Sequence, residues 1–203
     1  VGNALAESVL EKVNGKAVQR VANLLLDGGS HKIFFHRTPG YWVRAMDFLP
    51  YFQSPAGDRS IHHIREIEFG DPDNARIVGA ILSSSLYFFW LFASGNCRNL
   101  TLNDVKQFPI GEMNATIVRD VPLLFRDLMN DFQRNSFIAH RAQSKFQQFD
   151  WEASKPIIDQ IDGVLAKNFD LSDEELDFII NYDIKYRTGA GTGVDDDTEG
   201  GVG

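Results

Sequence analysis

The sequence predicts an α/β protein of the α+β kind, a small domain with a short sheet and packed helices, followed by a helical module. Three observations predict it. Runs rich in β-branched and aromatic residues, Lys32–Arg37 and Tyr41–Phe48, flank a Thr-Pro-Gly turn. Elsewhere apolar residues recur at helical spacing, most clearly Val121, Leu124, Phe125, Leu128 and Phe132. Capping residues stand ahead of several of these helical runs. With 203 residues, 43% of them hydrophobic and 24% charged, the chain has the composition of an ordinary soluble protein that can bury one good core.

In chain order, residues 4–26 carry a helical pattern (Leu5, Val9, Leu10, Val13, then Val18, Val21, Leu24, Leu25) interrupted near Gly15. Lys32–Arg37 and Tyr41–Phe48 are strands, and Thr38-Pro39-Gly40-Tyr41 is a type II turn, with Pro second and Gly third. Ile61–Phe69 is a further strand. Asp71 followed by Pro72 starts a helix that Gly95 stops. Within it Val78–Ser94 are seventeen residues without a charge. That is short of the ~20 a bilayer requires, and four are serines, so the run is read as a buried core helix and not a membrane span. Thr101 with Asp104 caps a short helix that ends before Phe108-Pro109. A helix capped by Asp120 puts Pro122 in its first turn. Residues 136–150 are irregular or a short strand. Helices at about 154–168 and 172–183 follow, and a Gly-rich acidic tail closes the chain. The predicted organisation is a lead-in at 1–29, a first domain at 30–113, a helical module at 114–187 and a flexible tail at 188–203.

The net charge is −8, but unevenly placed. Residues 1–150 balance at +1 and residues 151–203 at −9. A neutral body is compatible with one basic and one acidic face. Cys97 is the single cysteine, so no internal disulfide forms and a cytoplasmic location is expected. The chain starts at Val1, which is read as a piece of something longer.

Catalytic constellations are missing. An adenine-N6 methylase needs an Asn/Asp-Pro-Pro-aromatic loop to hold a flipped base, and no Pro-Pro occurs. Pro72-Asp73 is not followed by the Glu-x-Lys of a metal-dependent nuclease. Gly189, Gly191 and Gly193 lie in the tail with no helix after them, so they make no cofactor turn. His62 and His63, adjacent on a strand, point to opposite faces and do not chelate simply. What remains is binding chemistry. Lys32, His36, Arg37, Tyr41, Arg44, His62, His63 and Arg65 cluster in the strand-and-loop region, and Arg98, Asn99 and Lys106 follow Gly95. Lys and Arg neutralise phosphates, and Arg, Asn and Gln read purine edges.

The run Leu171–Arg187 (LSDEELDFIINYDIKYR) opens with Ser172 as N-cap, Glu175 completing a capping box, and Leu171 and Leu176 spaced as a hydrophobic staple. It closely resembles the C-terminal end of adenine-specific DNA methyltransferases of the fused, type IIG-like restriction-modification kind. Ile81–Ile110 resembles the second half of a target-recognition domain in the same enzymes. A looser version of it, small residues and then Leu-Thr, Asp and Phe-Pro-Ile, occurs in the specificity subunits of type I restriction systems. Lys155–Asp162 (KPIIDQID) is similar to the segment before the terminal helix. The resemblance spans roughly residues 30–190. It implies a target-recognition domain at 30–113 and a module that sets its position relative to the catalytic domain.

The resemblance therefore implies double-stranded DNA and the methyltransferase domain of the same parent chain as partners. The DNA-binding residues are expected to be Lys32, His36, Arg37, Tyr41, Arg44, Arg98, Asn99 and Lys106. No catalytic, metal or cofactor residue is expected in this chain; S-adenosylmethionine is implied for the parent enzyme, which methylates adenine N6. Two rivals remain: a protein-docking helical module without DNA affinity, and a free-standing enzyme with a deep pocket lined by perturbed acids or histidines.

Overall fold

The computed structural model describes residues 3–40, 42–55, 57, 64–94 and 99–182. They form a mixed α/β structure of helices around two antiparallel three-stranded sheets. Helix α1 is Ala4–Gly15, and a single 3₁₀ turn, Val21–Leu24, follows it. The first sheet has the order β2-β1-β4, from Ala45–Met46, His31–His36 and Ile64–Phe69. The second has the order β3-β6-β5, from Phe52–Gln53, Ser144–Phe149 and Ser136–Arg141. Helices α2 (Pro72–Ser83), α3 (Ser85–Ala93), α4 (Leu102–Gln107), α5 (Ala115–Arg134), α6 (Trp151–Asn168) and α7 (Asp173–Asn181) complete the described elements.

One core runs through all of it. Ile33 and Phe35 of β1, Ile67 and Phe69 of β4, Phe125 and Phe132 of α5, Ile158 and Ile161 of α6, and Ile179 of α7 belong to the same buried cluster. The described residues of 30–113 and of 114–182 therefore share a core, and β3 of the first segment pairs with β6 of the second. Helices α2 and α5 pack closely at Gly79, where a Cβ would sit 2.4 Å from Cζ of the buried Phe125 ring.

Several elements differ from the sequence expectation, each for a tertiary reason. The helix expected to run from Asp71 to Gly95 breaks at Ser84, and α2 and α3 meet at 64°. Ser84 leaves helical geometry and its Oγ accepts from Tyr87 N–H at 3.0 Å. The carboxylate of Asp162, on α6, accepts from the N–H groups of Ser85 (3.2 Å) and Leu86 (3.1 Å). The freed donors of α3 are thus satisfied inside the core, where water cannot reach them. Among the described residues no single helix is long and apolar enough to cross a membrane, and the uncharged run is buried from Ile77 to Leu91.

Helix α5 begins six residues before the expected start. Asn114 caps it, accepting from Thr116 and Ile117 N–H at 3.0 Å, and Pro122 stays inside it as a buried residue. Packing of Ile117, Val121, Phe125, Leu128 and Phe132 outweighs the proline's cost. Residues 136–149, expected to be irregular or one short strand, form a hairpin. Its two-residue loop, Ala142-Gln143, lacks the usual turn residues, and Ala142 takes φ +49. Of the expected strands, 41–48 is reduced to Ala45–Met46 and 61–69 to Ile64–Phe69, with residues 61–63 outside the described set; the tail also lies outside it.

The capping box at α7 forms as the sequence predicts, with Ser172 N–H donating to Glu175 Oε2 (2.6 Å) and Glu175 N–H to Ser172 Oγ (3.2 Å). The same carboxylate accepts from Lys12 Nζ at 2.6 Å and Ser8 Oγ at 2.7 Å, pinning α1 to α7. Burial raises its pKa, but the hydrogen bonds from Lys12, Ser8 and Ser172 outweigh this and lower it from 4.5 to about 2. A depressed folded-state pKa contributes stability that is complete above the unfolded value of 4.5 and is lost as pH falls toward 2. Thermal melts of the parent and Glu175→Gln from pH 6 to pH 2 should therefore differ most at pH 6 and converge with acid. A gap that stays constant would show that the carboxylate's charge contributes nothing.

Candidate nucleic-acid interface

Strand β1 divides its residues by alternation. Ile33 and Phe35 enter the core, which leaves Lys32, Phe34 and His36 on the outer face, all half-buried. The register with β4 puts Glu68 opposite Lys32, Glu66 opposite Phe34 and Ile64 opposite His36. Lys32 Nζ consequently bonds both Glu66 Oε1 and Glu68 Oε1 at 2.8 Å. The hydrogen bonds to Glu66 and then Glu68 raise the lysine's pKa, while Lys32 and the Gly28 N–H lower that of Glu68. Lys32, expected among the DNA-binding residues, thus faces two carboxylates, a local charge that disfavours phosphate.

Beyond β1 the chain turns through residues 37–44. Gly40 has φ +58, a left-handed value that suits glycine, and Trp42 N–H donates to Pro39 O at 3.2 Å. The base of the loop is anchored by Trp42, whose ring packs against Phe132 (5.4 Å between centroids) and Trp151 (5.9 Å), and by buried Val43. Arg37, Thr38 and Gly40 are exposed on this anchored base, and Arg44 is half-buried. Tyr41 lies outside the described residues, as do His62, His63 and Arg98. Arg65 is exposed on β4.

The second predicted region meets the first. Leu100 N–H donates to Arg37 O at 2.6 Å, and the Leu100 side chain is buried beneath the contact. Asn99, half-buried, stands next to that junction. Thr101 then caps α4, with Asp104 completing the box through Thr101 N–H and Oγ at 2.8 and 2.7 Å. Val105 and Phe108 face the core, while Asn103, Lys106 and Gln107 remain exposed at helical spacing. The Arg20 guanidinium donates to Gln107 O, adding a cation at the end of α4 that the sequence reading missed. Its only sequence signal was a lone arginine 87 residues before its partner Gln107.

Arg37 and Arg44 thus lie on one segment, Asn99 and Lys106 on a second tied to it by the Leu100–Arg37 hydrogen bond, and Arg20 on a third that meets the end of α4, where Val21 N–H donates to Phe108 O at 3.1 Å. Residues 28–46 hold no Asp or Glu. The opposite character prevails at α7, where an open groove between it and α1 is lined by Leu5, Glu174, Asp177, Phe178, Asn181 and Tyr182. Glu174 and Asp177 there disfavour phosphate. Among the described residues no three His, Cys, Asp or Glu side chains converge as a metal site.

No protein-family model, no characterised protein and no solved structure matches the chain.

Proposed function

We propose that this chain is the DNA target-recognition region of an adenine-N6 DNA methyltransferase or restriction-modification enzyme, binding double-stranded DNA and not catalytic by itself. The observation that carries the reading is the Leu100–Arg37 hydrogen bond, which joins the two segments that the sequence singles out for DNA contact. The resemblance of 81–110, 155–162 and 171–187 to the fused enzymes supports it. In this reading Arg37 and Arg44 from the anchored loop, with Asn99 beside the junction, read base edges, and Lys106 and Arg20 at the end of α4 hold phosphates. The methyltransferase domain of the parent chain supplies the S-adenosylmethionine site and the catalytic loop.

Binding by the isolated chain should be weak and salt-dependent. A few phosphate contacts give a dissociation constant of about 10⁻⁴–10⁻⁶ M at physiological salt, with a log–log salt slope of roughly −3 to −4. Anisotropy titrations of a labelled duplex between 25 and 200 mM salt (conditions of about that range) measure both. Absence of binding at the lowest salt would favour the protein-docking reading. The same preparation should transfer no methyl group from labelled S-adenosylmethionine to DNA; transfer above a no-protein control would refute the non-catalytic assignment.

A further inference from the structure

The second sheet carries a surface that the reading above does not use. Register and alternation put six side chains on one face in two rows. Lys145 pairs with Gln53 on one side and His140 on the other. One row nearer the core, Gln147 pairs with Ile138, and its N–H donates to Tyr51 O at 2.9 Å. At the base of the same face Phe149, paired with Ser136, is buried in the core. The face therefore leaves the core after one row and rises into solvent. Gln53, His140 and Lys145 are exposed, as are Tyr51 (46%) and Ile138 (46%).

The chemistry of this face is selective. Residues 48–57 and 136–149 hold no Asp or Glu, in a chain of net charge −8. The amides are ordered: the Tyr51 hydroxyl donates to Gln53 Oε1 at 2.9 Å, and Gln147 bonds Tyr51 N–H through Oε1 (3.1 Å) and Ser136 Oγ through Nε2 (2.9 Å). A twisted antiparallel ribbon fits the major groove of a duplex, where an ordered glutamine recognises adenine and an aliphatic side chain meets the thymine methyl. Position agrees as well. Gln53 lies nine positions after Arg44, a reach of at most about 30 Å. That bound lies within one turn of duplex, about 34 Å.

We propose that the sheet face formed by Tyr51, Gln53, Ile138, His140, Lys145 and Gln147 is a second duplex-DNA contact surface, with Lys145 on a phosphate and Gln53 at a base edge. It rests on the DNA-recognition reading above. Residues 1–203 are titrated against a labelled duplex of mixed sequence at about 50 mM salt. Lys145→Gln should weaken binding about tenfold and make the salt slope shallower by about 0.9, the release expected from one phosphate contact. Lys145→Arg should bind like the parent, and so should Lys167→Gln, which removes an exposed cation from the acidic α6. Because Lys145 is exposed, its variants should melt like the parent. A benzophenone amino acid placed at Ile138 should crosslink to the duplex. If the parent binds DNA while Lys145→Gln binds equally well and the Ile138 probe crosslinks nothing, the proposal fails and this face belongs to a protein contact, with the recognition reading intact. If the parent fails to bind at low salt, both fall.

Discussion

Changing Ile179 to Asp should unfold the chain or lower its melting temperature by about 10 °C or more. Ile179 is fully buried on α7, in the cluster that also holds Ile158, Ile161 and Leu165 of α6. Phe89 of α3 packs on the same helix through Phe178 (5.5 Å) and Tyr182 (5.0 Å), so the site is closed on several sides. A carboxylate there has no partner and costs about 3–5 kcal/mol, a large share of a typical total stability of about 5–15 kcal/mol. For a chain of this length each kcal/mol moves the midpoint by roughly 2–4 °C. Circular-dichroism melts of the variant and of Ile179→Val, which should lose only about 1 kcal/mol, provide the check. A variant melting like the parent would put Ile179 at the surface.

Asp162→Ala should cost roughly 2–4 kcal/mol, although it deletes a charge that is itself almost fully buried. The carboxylate holds the Ser85 and Leu86 N–H groups where α2 gives way to α3. Removing it leaves both buried donors without their protein acceptor, and alanine offers none in its place. Asp162→Asn keeps one acceptor oxygen and should fall between parent and Ala. Hydrogen exchange locates the effect: the Ser85 and Leu86 amides should exchange faster in Asp162→Ala, ahead of those in α5. If stability drops with no change at these two amides, the cap is not the reason for Asp162.

The residues behind these two predictions differ in how they could be known. Ile179 stands at helical spacing after a Ser172–Glu175 capping box, and both signals lie within nine residues. Asp71 before Pro72, and Thr101 with Asp104, are equally local, and each starts a helix where the sequence places one. Asp162 carries no such signal, because its partners are 76 and 77 residues away. The break at Ser84 was hidden for the same reason: an unbroken apolar run satisfies a straight buried helix until a distant carboxylate makes a second N-terminus affordable.

The candidate DNA surface shows the same division. Residue type and order were enough to select 32–44 and 98–106 as polar, cationic segments beside turns. Those properties follow from local chain chemistry, as do the starts of α2, α4 and α7, the mixed α/β class and the acidic C-terminal segment. Which of those cations stays available depended on register. Glu66 and Glu68 neutralise Lys32 because β4 pairs antiparallel with β1 in one alignment, and a shift of one residue would turn both glutamates to the other face. Leu100 meets Arg37, Arg20 reaches Gln107, and the 136–149 hairpin joins β3 only when the core closes, since each pair is separated by more than sixty residues. Short-range propensity and capping energies determine where α2, α4 and α7 begin. Long-range burial and strand pairing determine which side chains they leave facing water.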